Sequence, residues 1–220
     1  MLTAILACAF AALTPAMSGA QPADDVEQAL ASARVSAAAG DVVAQFSLGS
    51  ILYYGSADTA QAIDWFRKAA LQQYAPAELQ LAQLYDFGFG VGQNDTEALA
   101  WYRKAADHGS AAAARAMGDF YRKGRAVAAD IAEAARWYRR AADGDDLRAQ
   151  YELAQLYFSG NGVVRDYISA YVWFTVAAGQ TPLADNRDAL IEARNIAAAR
   201  MTPDQLADAV GRAAAWSPSR

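Results

Sequence analysis

Apolar and small residues of this chain recur with the period of an α-helix, and glycines separate the helical stretches. Between residues 77 and 85 one helix face is formed by Ala77, Leu81, Leu84 and Tyr85. Gly88 predicts the end of this helix, because glycine readily takes the left-handed conformation that closes a helix C-terminus. A second helix is predicted from about Thr96 to Gly109, with an apolar face of Ala98, Trp101, Tyr102 and Ala105. The unit is therefore a helix, a loop, a helix and a short loop.

This unit repeats along the chain. Four tryptophans stand 36 residues apart and open similar hexapeptides; they are Trp65, Trp101, Trp137 and Trp173. A Leu or Met lies 20 residues before each of the last three, whereas Leu48 of the first unit lies three residues closer to its Trp. One helical hairpin cannot bury its own apolar face, so neighbouring units must stack. The predicted fold class is all-α, a solenoid of four helix-loop-helix units of 33–36 residues.

The flanking segments predict helical caps. Residues 26–39 are predicted to form a lone helix before the first unit, and residues 184–200 form another after the fourth. Thr202-Pro203-Asp204-Gln205 is a capping box that predicts a last helix to about Ala215. Val176 occupies a position that is basic in the other units, which indicates that the tail covers it. The predicted organisation is a signal peptide at 1–20, a capping helix at 21–40, four repeats at 41–180 and capping helices at 181–220.

Residues 1–20 differ from the rest because they carry no charged side chain. Their apolar run from Leu2 to Leu13 has the length of a signal-peptide core and is too short to span a bilayer. Small residues at 18–20 predict cleavage after Ala20, and hence export to the periplasm or secretion. Since no Lys or Arg precedes the run, a buried N-terminal helix is the alternative. Cleavage would remove Cys8, the only cysteine. Lipidation of Cys8 is a further alternative, but the seven residues before it are too few for a charged segment and an apolar core.

A family resemblance covers residues 41–180. The pattern Ala-x-(aromatic or Leu)-x-Leu-Gly/Ala-x-x-Tyr-x-x-Gly, followed by Ala-x-x-Trp-Tyr-Arg-Lys-Ala-Ala, resembles the Sel-one-like repeat (SLR) family, a relative of the tetratricopeptide repeat. The segment from Ala199 to Leu206 also resembles the endings of exported bacterial members. The resemblance implies a right-handed α-solenoid that binds protein or peptide partners as an adaptor, scaffold or regulator in the bacterial envelope. It transfers no catalytic residues.

Composition and candidate chemistry argue against most other classes. The net charge is −5, which disfavours a nucleic-acid partner. Basic pairs follow three of the tryptophans and are interpreted as a solvated face that pairs with nearby acids; the alternative is a site for an acidic or nucleic-acid partner. His108, the single histidine, is interpreted as an exposed helix-end residue. The carboxylates Asp143, Asp145 and Asp146 are interpreted as turn formers, so we predict no catalytic, metal or cofactor site and no transmembrane segment in the mature chain.

The first helix of each unit carries the candidate partner-binding residues. Two and five residues after the core Leu or Met, the side chain changes from unit to unit while the frame stays constant. In tetratricopeptide-like solenoids this helix lines the concave face, and the resemblance implies the same here. With two positions one turn earlier, the candidates are Ser50, Tyr53, Gln83, Asp86, Arg115, Asp119, Arg122, Tyr151, Gln155 and Phe158. The alternative is that these residues are merely exposed.

The predicted function is a non-enzymatic, monomeric protein-interaction module that binds a protein or peptide. A structural, self-assembling envelope component is one alternative, and it requires an exposed apolar patch at an end of the array. A hydrolase-type enzyme is the other, and it requires a cleft with a strongly perturbed carboxylate.

Overall fold

The computed structural model describes residues 22–56, 59–181 and 184–218. The α-helices are α1 Pro22–Ala38, α2 Val42–Ile51, α3 Thr59–Leu71, α4 Ala75–Phe87, α5 Asp95–Asp107, α6 Ala111–Lys123, α7 Ile131–Asp143, α8 Leu147–Ser159, α9 Tyr167–Gln180, α10 Ala184–Ala198 and α11 Pro203–Ala215. The part of the chain so described contains no strand, and the predicted all-α class is confirmed. The predicted signal peptide at 1–20 lies outside the described residues.

Consecutive helices form hairpins that stack on one another. We call α2, α4, α6 and α8 the first helices, and α3, α5, α7 and α9 the second helices. From α1 to α10 each helix packs on its neighbours in sequence, and within the four repeats the packing is closer within a hairpin than between hairpins. The core between them is rich in alanine, with Ala69, Ala105 and Ala141 fully buried at the same position of successive second helices. Alanine favours helix formation and permits short distances between helix axes.

In the first and third repeats the glycine after the core Leu or Met lies in close contact with the second helix of its hairpin. A Cβ atom added to Gly49 would lie 2.8 Å from the ring of Phe66, and one added to Gly118 would lie 2.6 Å from the ring of Tyr138. Both distances are shorter than carbon atoms tolerate. A side chain at Gly49 or Gly118 would therefore force the facing aromatic ring to move.

The loop between the helices of a repeat is built on residues with positive φ. Gly88, Gly124 and Gly160 end their first helices at φ of 73°, 69° and 73°. Two residues later the chain turns left-handed again, at φ of 75° in Gly90 but at 56° in Ala126. The third repeat thus keeps the shared loop geometry without glycine, and Ala126 carries the strain of a left-handed residue that has a Cβ.

Polar caps fix the helix starts. Asn94, Asp130 and Asp166 accept hydrogen bonds from backbone N–H groups at the starts of α5, α7 and α9. The predicted capping box at Thr202 and Gln205 is present. In the first repeat, where the loop is three residues shorter, α2 does not end at a left-handed glycine but continues as a π-helical turn over Leu52–Ser56.

Helices outside the four hairpins pack on both ends of the array. Helix α1 contacts α2, and α10 and α11 both contact α9. Val176 of α9 is only 8% exposed, and the ring of Trp216, which follows α11, lies 6.1 Å from the ring of Trp173 in an edge-on arrangement. The fourth repeat is therefore covered on the side where a fifth would stack.

Candidate interaction surface

The ten candidate residues do not share one environment. Eight are partly buried, namely Ser50, Tyr53, Gln83, Arg115, Asp119, Arg122, Gln155 and Phe158. Tyr151 is 41% exposed, whereas Asp86 is only 8% exposed. We call this set the first-helix stripe. No ligand or partner bears on it, so its role in binding stays a prediction.

Asp86 is held in an internal network. Its Oδ2 accepts a hydrogen bond from the Tyr102 hydroxyl at 2.9 Å, and its Oδ1 accepts one from the Arg125 guanidinium at 2.7 Å. Arg125 also bonds to the carboxylate of Asp95, and its guanidinium lies 4.4 Å from the ring centroid of Phe120. The Asp86 carboxylate thus bonds to its own repeat and to the loop of the next one.

The ionisation states in this network follow from burial and charge. Burial and the Asp86 charge raise the pKa of the Tyr102 hydroxyl far above its ordinary value, so it stays protonated and donates. The hydrogen bond from Arg125 lowers the pKa of Asp95, and the bond to Asp95 raises the pKa of the Arg125 guanidinium. Asp95 and Arg125 are therefore both charged at neutral pH.

A second network lies one repeat further on. The Tyr138 hydroxyl donates to Asp119 Oδ1 at 2.7 Å and accepts from Arg122 Nε at 2.9 Å. Arg115 contacts the other oxygen of Asp119 at 3.4 Å and bonds to Asp146, the N-cap of α8, at 3.2 Å. Arg122 is still 34% exposed. Its charge is partly offset within the repeat but is accessible from outside.

The first and fourth repeats lack these networks. Their second helices carry Phe66 and Phe174 where the central repeats carry tyrosine, and neither ring has a hydroxyl to donate. The stripe there is uncharged, with Tyr53 packed near Phe66 at 6.4 Å and Tyr151 near Phe174 at 6.3 Å. Within this one chain, a charged stripe residue accompanies tyrosine and an uncharged one accompanies phenylalanine. That pairing was visible in the sequence and would have predicted the networks.

Arginines after the tryptophans join consecutive repeats. Arg67, Arg103 and Arg139 each donate to the hydroxyl of a tyrosine 18 residues later, at 3.3, 3.1 and 2.7 Å. Those acceptors belong to the first helix of the next repeat. The sequence-based interpretation, a solvated face that pairs with nearby acids, is therefore incomplete. Arg67 does contact Asp64, but Arg103 and Arg139 bond mainly to tyrosine hydroxyls. Thr175 stands at this position in the fourth repeat, which has no following repeat to bond.

Four consecutive segments of the chain match the Sel1 repeat model: residues 42–74, 75–110, 111–146 and 147–181. The chain belongs to the Sel1 repeat family. Such repeats are generally protein–protein interaction modules, and the fold is typically a non-catalytic scaffold. The repeat boundaries coincide with the left-handed turns between hairpins.

Solved structures of Sel1 repeat proteins resemble this chain. A Sel1 repeat protein from Oxalobacter formigenes is 30% identical, with a TM-score of 0.65 and 79% of each chain covered. The protein c5321, a protective antigen of uropathogenic Escherichia coli strains that displays an SLR fold, is also 30% identical, with a TM-score of 0.53. That match covers 84% of this chain but only 47% of c5321. No curated protein matches the chain.

The tryptophans of the Sel1 repeats belong mainly to the frame. Trp137 and Trp173 are 8% and 4% exposed, and Trp65 and Trp101 are partly buried against the core. Lys68 and Lys104 lie 3.7 and 3.9 Å from the ring centroids of the tryptophans one turn before them. These cation–π contacts cover the outer side of the rings.

Polar pairs, each with one buried member, lie at the short-loop end of three Sel1 repeats, and sequence reasoning missed them. Glu78, 1% exposed, meets Nδ1 of His108 at 2.7 Å through Oε2, so His108 is more than an exposed helix-end residue. The equivalent residues of the first repeat, Gln45 and Gln72, bond at 2.8 Å. In the fourth, the buried Gln150 bonds to Asp145.

The third repeat has alanine and glycine at the same two positions, Ala114 and Gly144. In these repeats the two positions are thus either both polar or both small.

The acidic loop of the third Sel1 repeat also differs from its interpretation as simple turn formers. Asp146 caps α8 and binds Arg115, and Asp145 adopts a left-handed φ of 70°. Burial raises the pKa of Asp143, with the Arg139 charge opposing the shift. No group of three or more His, Cys, Asp or Glu side chains suited to a metal occurs in the described ranges, and no helix there is long and apolar enough to cross a membrane.

Proposed function

We propose that this chain is a non-enzymatic interaction module that binds one partner protein or peptide through the first-helix stripe. The supporting observation is the change of chemistry along the stripe over a constant frame. Uncharged residues such as Tyr53 give way to the accessible Arg122 and then to Tyr151 and Phe158. Surfaces that vary over a fixed scaffold are where recognition is usually encoded.

We further propose that the module is exported and monomeric. The charge-free first 20 residues, with small side chains before Gln21, support cleavage after Ala20. Helices α10 and α11, which pack on α9, oppose open-ended stacking. The mass of the protein purified from the envelope fraction tests export: a mature chain that begins at Gln21 is expected, and an intact Met1 would contradict it.

Site-specific photo-crosslinking tests the binding face. A photoreactive amino acid placed at Tyr53, Gln83 or Tyr151 of the full chain is expected to give one crosslinked partner in cells. The same group at Arg136, an exposed residue of a second helix, is the control and is expected to give none. Equal crosslinking from both faces would contradict a binding site on the first helices.

A matched pair of triple variants tests the same point by loss of binding. Simultaneous replacement of Tyr53, Arg122 and Phe158 by serine is expected to abolish capture of the crosslinked partner. Serine at three exposed sites away from the stripe, Leu71, Arg136 and Val164, is the control. If both variants keep the native circular dichroism and capture the partner equally, the proposal is wrong.

A further inference from the structure

Two phenylalanines lie side by side on the surface where the first helix of the second repeat ends. The ring centroids of Phe87 and Phe89 are 5.7 Å apart with an interplanar angle of 30°, and the residues are 60% and 56% exposed. Tyr54, which corresponds to Phe87 in the first repeat, is 52% exposed. We call Phe87 and Phe89 the aromatic patch. Adjacent exposed apolar side chains are more informative than single ones, because contiguous apolar patches mark interaction sites.

The repeat frame does not require aromatic residues at these positions. Lys123 and Ser159 replace Phe87 in the third and fourth repeats, while Arg125 and Asn161 replace Phe89. An exposed aromatic residue at the Phe87 position is therefore a local feature of the first two repeats.

The backbone beneath the patch is tightly packed. A Cβ atom on Gly90 would lie 2.0 Å from Cγ2 of Thr59, so the loop that carries Phe89 rests directly on the start of α3. A rigid aromatic surface loses little conformational entropy when a partner covers it.

Charge changes sharply along this edge of the array. Helix α2 contains no charged residue, and the two carboxylates of α4, Glu78 and Asp86, are 1% and 8% exposed and bonded internally. One repeat further, α6 ends with Arg122 and Lys123. Lys123 is exposed and forms no ion pair within the described ranges. An aromatic residue of the second repeat, Phe87, thus has a cation, Lys123, at the equivalent position of the third.

We infer that this edge binds a partner segment in which a large apolar side chain is followed closely by a carboxylate. The apolar side chain would cover the aromatic patch, and the carboxylate would pair with Lys123. This inference rests on the proposed function, because the patch continues the first-helix stripe at the ends of the same helices. The whole chain carries a charge of −5 and does not attract acidic segments in general. A preference for an acidic segment would therefore indicate pairing with Lys123 and not attraction by the overall charge of the chain.

A synthetic peptide tests the inference directly. The probe is a fluorescein-labelled Gly-Phe-Phe-Ala-Ala-Asp-Gly amide, titrated with the full chain and followed by fluorescence anisotropy. Peptides with shorter and longer alanine spacers locate the best separation of the two groups. We expect saturable binding that weakens with salt, and weaker binding when Asn replaces the peptide's Asp.

Matched variants of the chain locate the binding site. Replacement of Phe87 and Phe89 by serine is expected to weaken binding of the probe by about tenfold or more, because the variant loses both aromatic rings that the probe would cover. Leu71→Ser is the control, because Leu71 is 80% exposed but lies at the end of α3. Lys123→Ala is expected to cost about threefold for the acidic probe and nothing for the Asn probe. Arg148→Ala is the matched cationic control.

Three results would overturn the inference. They are unchanged binding by the Phe87→Ser, Phe89→Ser variant, equal binding of the acidic and Asn probes, and a self-associating wild-type chain that this variant makes monomeric. The last result would assign the patch to a second copy of the chain. If the crosslinked partner is lost with the stripe variant but kept by the patch variant, only this inference fails. If neither variant loses it, the proposed function fails as well.

Discussion

Arg125→Met tests whether the loop of the third repeat stabilises the second. The substitution removes the hydrogen bond to Asp86, which is 8% exposed, and the bonds to the more exposed Asp95, but keeps most of the side-chain volume over Phe120. A charged hydrogen bond to a buried carboxylate is worth about 1.5–3 kcal/mol. The exposed pair adds about 0.5 kcal/mol and the lost cation–π contact about 0.5–1 kcal/mol. We expect the free energy of unfolding to fall by about 2.5–4.5 kcal/mol in total.

Urea unfolding followed by far-ultraviolet circular dichroism measures this change. A nearest-neighbour fit suits a repeat array better than a two-state fit, because adjacent repeats can unfold separately. Arg136→Met is the control: it breaks an exposed pair with Glu133 and is expected to change stability by less than about 0.5 kcal/mol.

A double-mutant cycle separates the Arg125–Asp86 interaction from other effects. Asp86→Asn keeps an acceptor for the Tyr102 hydroxyl but removes the charge. The double variant is expected to be more stable than the sum of the single effects by about 1.5 kcal/mol. Additive effects, or an Arg125→Met variant within about 0.5 kcal/mol of the wild type, would refute the reasoning.

The pH dependence gives an independent check. Because Arg125 lowers the pKa of Asp95 below its ordinary 3.8, the contribution of Asp95 is present above that pH and is lost as the pH falls through the folded-state pKa. The difference between the wild type and Arg125→Met should therefore shrink in acid. A difference that grows in acid would contradict this assignment.

Three further substitutions have predicted outcomes in the same unfolding assay. Ala126→Gly relieves a left-handed residue and should stabilise the chain by about 0.5–1 kcal/mol, whereas Ala128→Gly in the same loop should destabilise it by a similar amount; equal effects would contradict the strain. His108→Ala leaves the carboxylate of Glu78 buried without its imidazole partner and should cost about 2–4 kcal/mol, while His108→Gln should retain most of the stability; equal losses would show that the bond contributes little. Burial raises the pKa of Asp143, so ionisation of this side chain lowers the stability of the chain as the pH rises through the folded-state pKa. Asp143→Asn should therefore stabilise the chain by about 0.3 kcal/mol at neutral pH but not below the ordinary pKa of 3.8. A gain in stability that persists in acid would exclude titration of Asp143 as its cause.

Local periodicity was enough to predict the frame. The glycines at helix ends and the capping box each depend on residues a few positions apart, the tryptophans recur at a fixed spacing, and each feature has its predicted place. Even the left-handed alanine in the loop of the third repeat was predictable, because Ala126 stands where two other repeats have glycine.

Contacts between distant positions were harder to predict. Arg125 bonds to Asp86, 39 residues earlier, and no local pattern connects the two. His108 and Glu78 are 30 residues apart and meet only because one lies in the short loop and the other in the first turn of α4. Alignment of the repeats with one another, rather than a search for motifs, was the signal that could have found them.

The tyrosine–phenylalanine alternation has a consequence for how the stripe can change. In the central repeats a stripe carboxylate is satisfied by a phenol of the second helix, as Asp86 is by Tyr102. To make that stripe position apolar would leave a buried hydroxyl without its acceptor, which costs about 1–3 kcal/mol unless the tyrosine becomes phenylalanine as well. In the outer repeats Phe66 and Phe174 impose no such demand. Single substitutions should therefore alter the stripe readily in the first and fourth repeats, whereas the central repeats change at low cost only by paired substitutions in both helices.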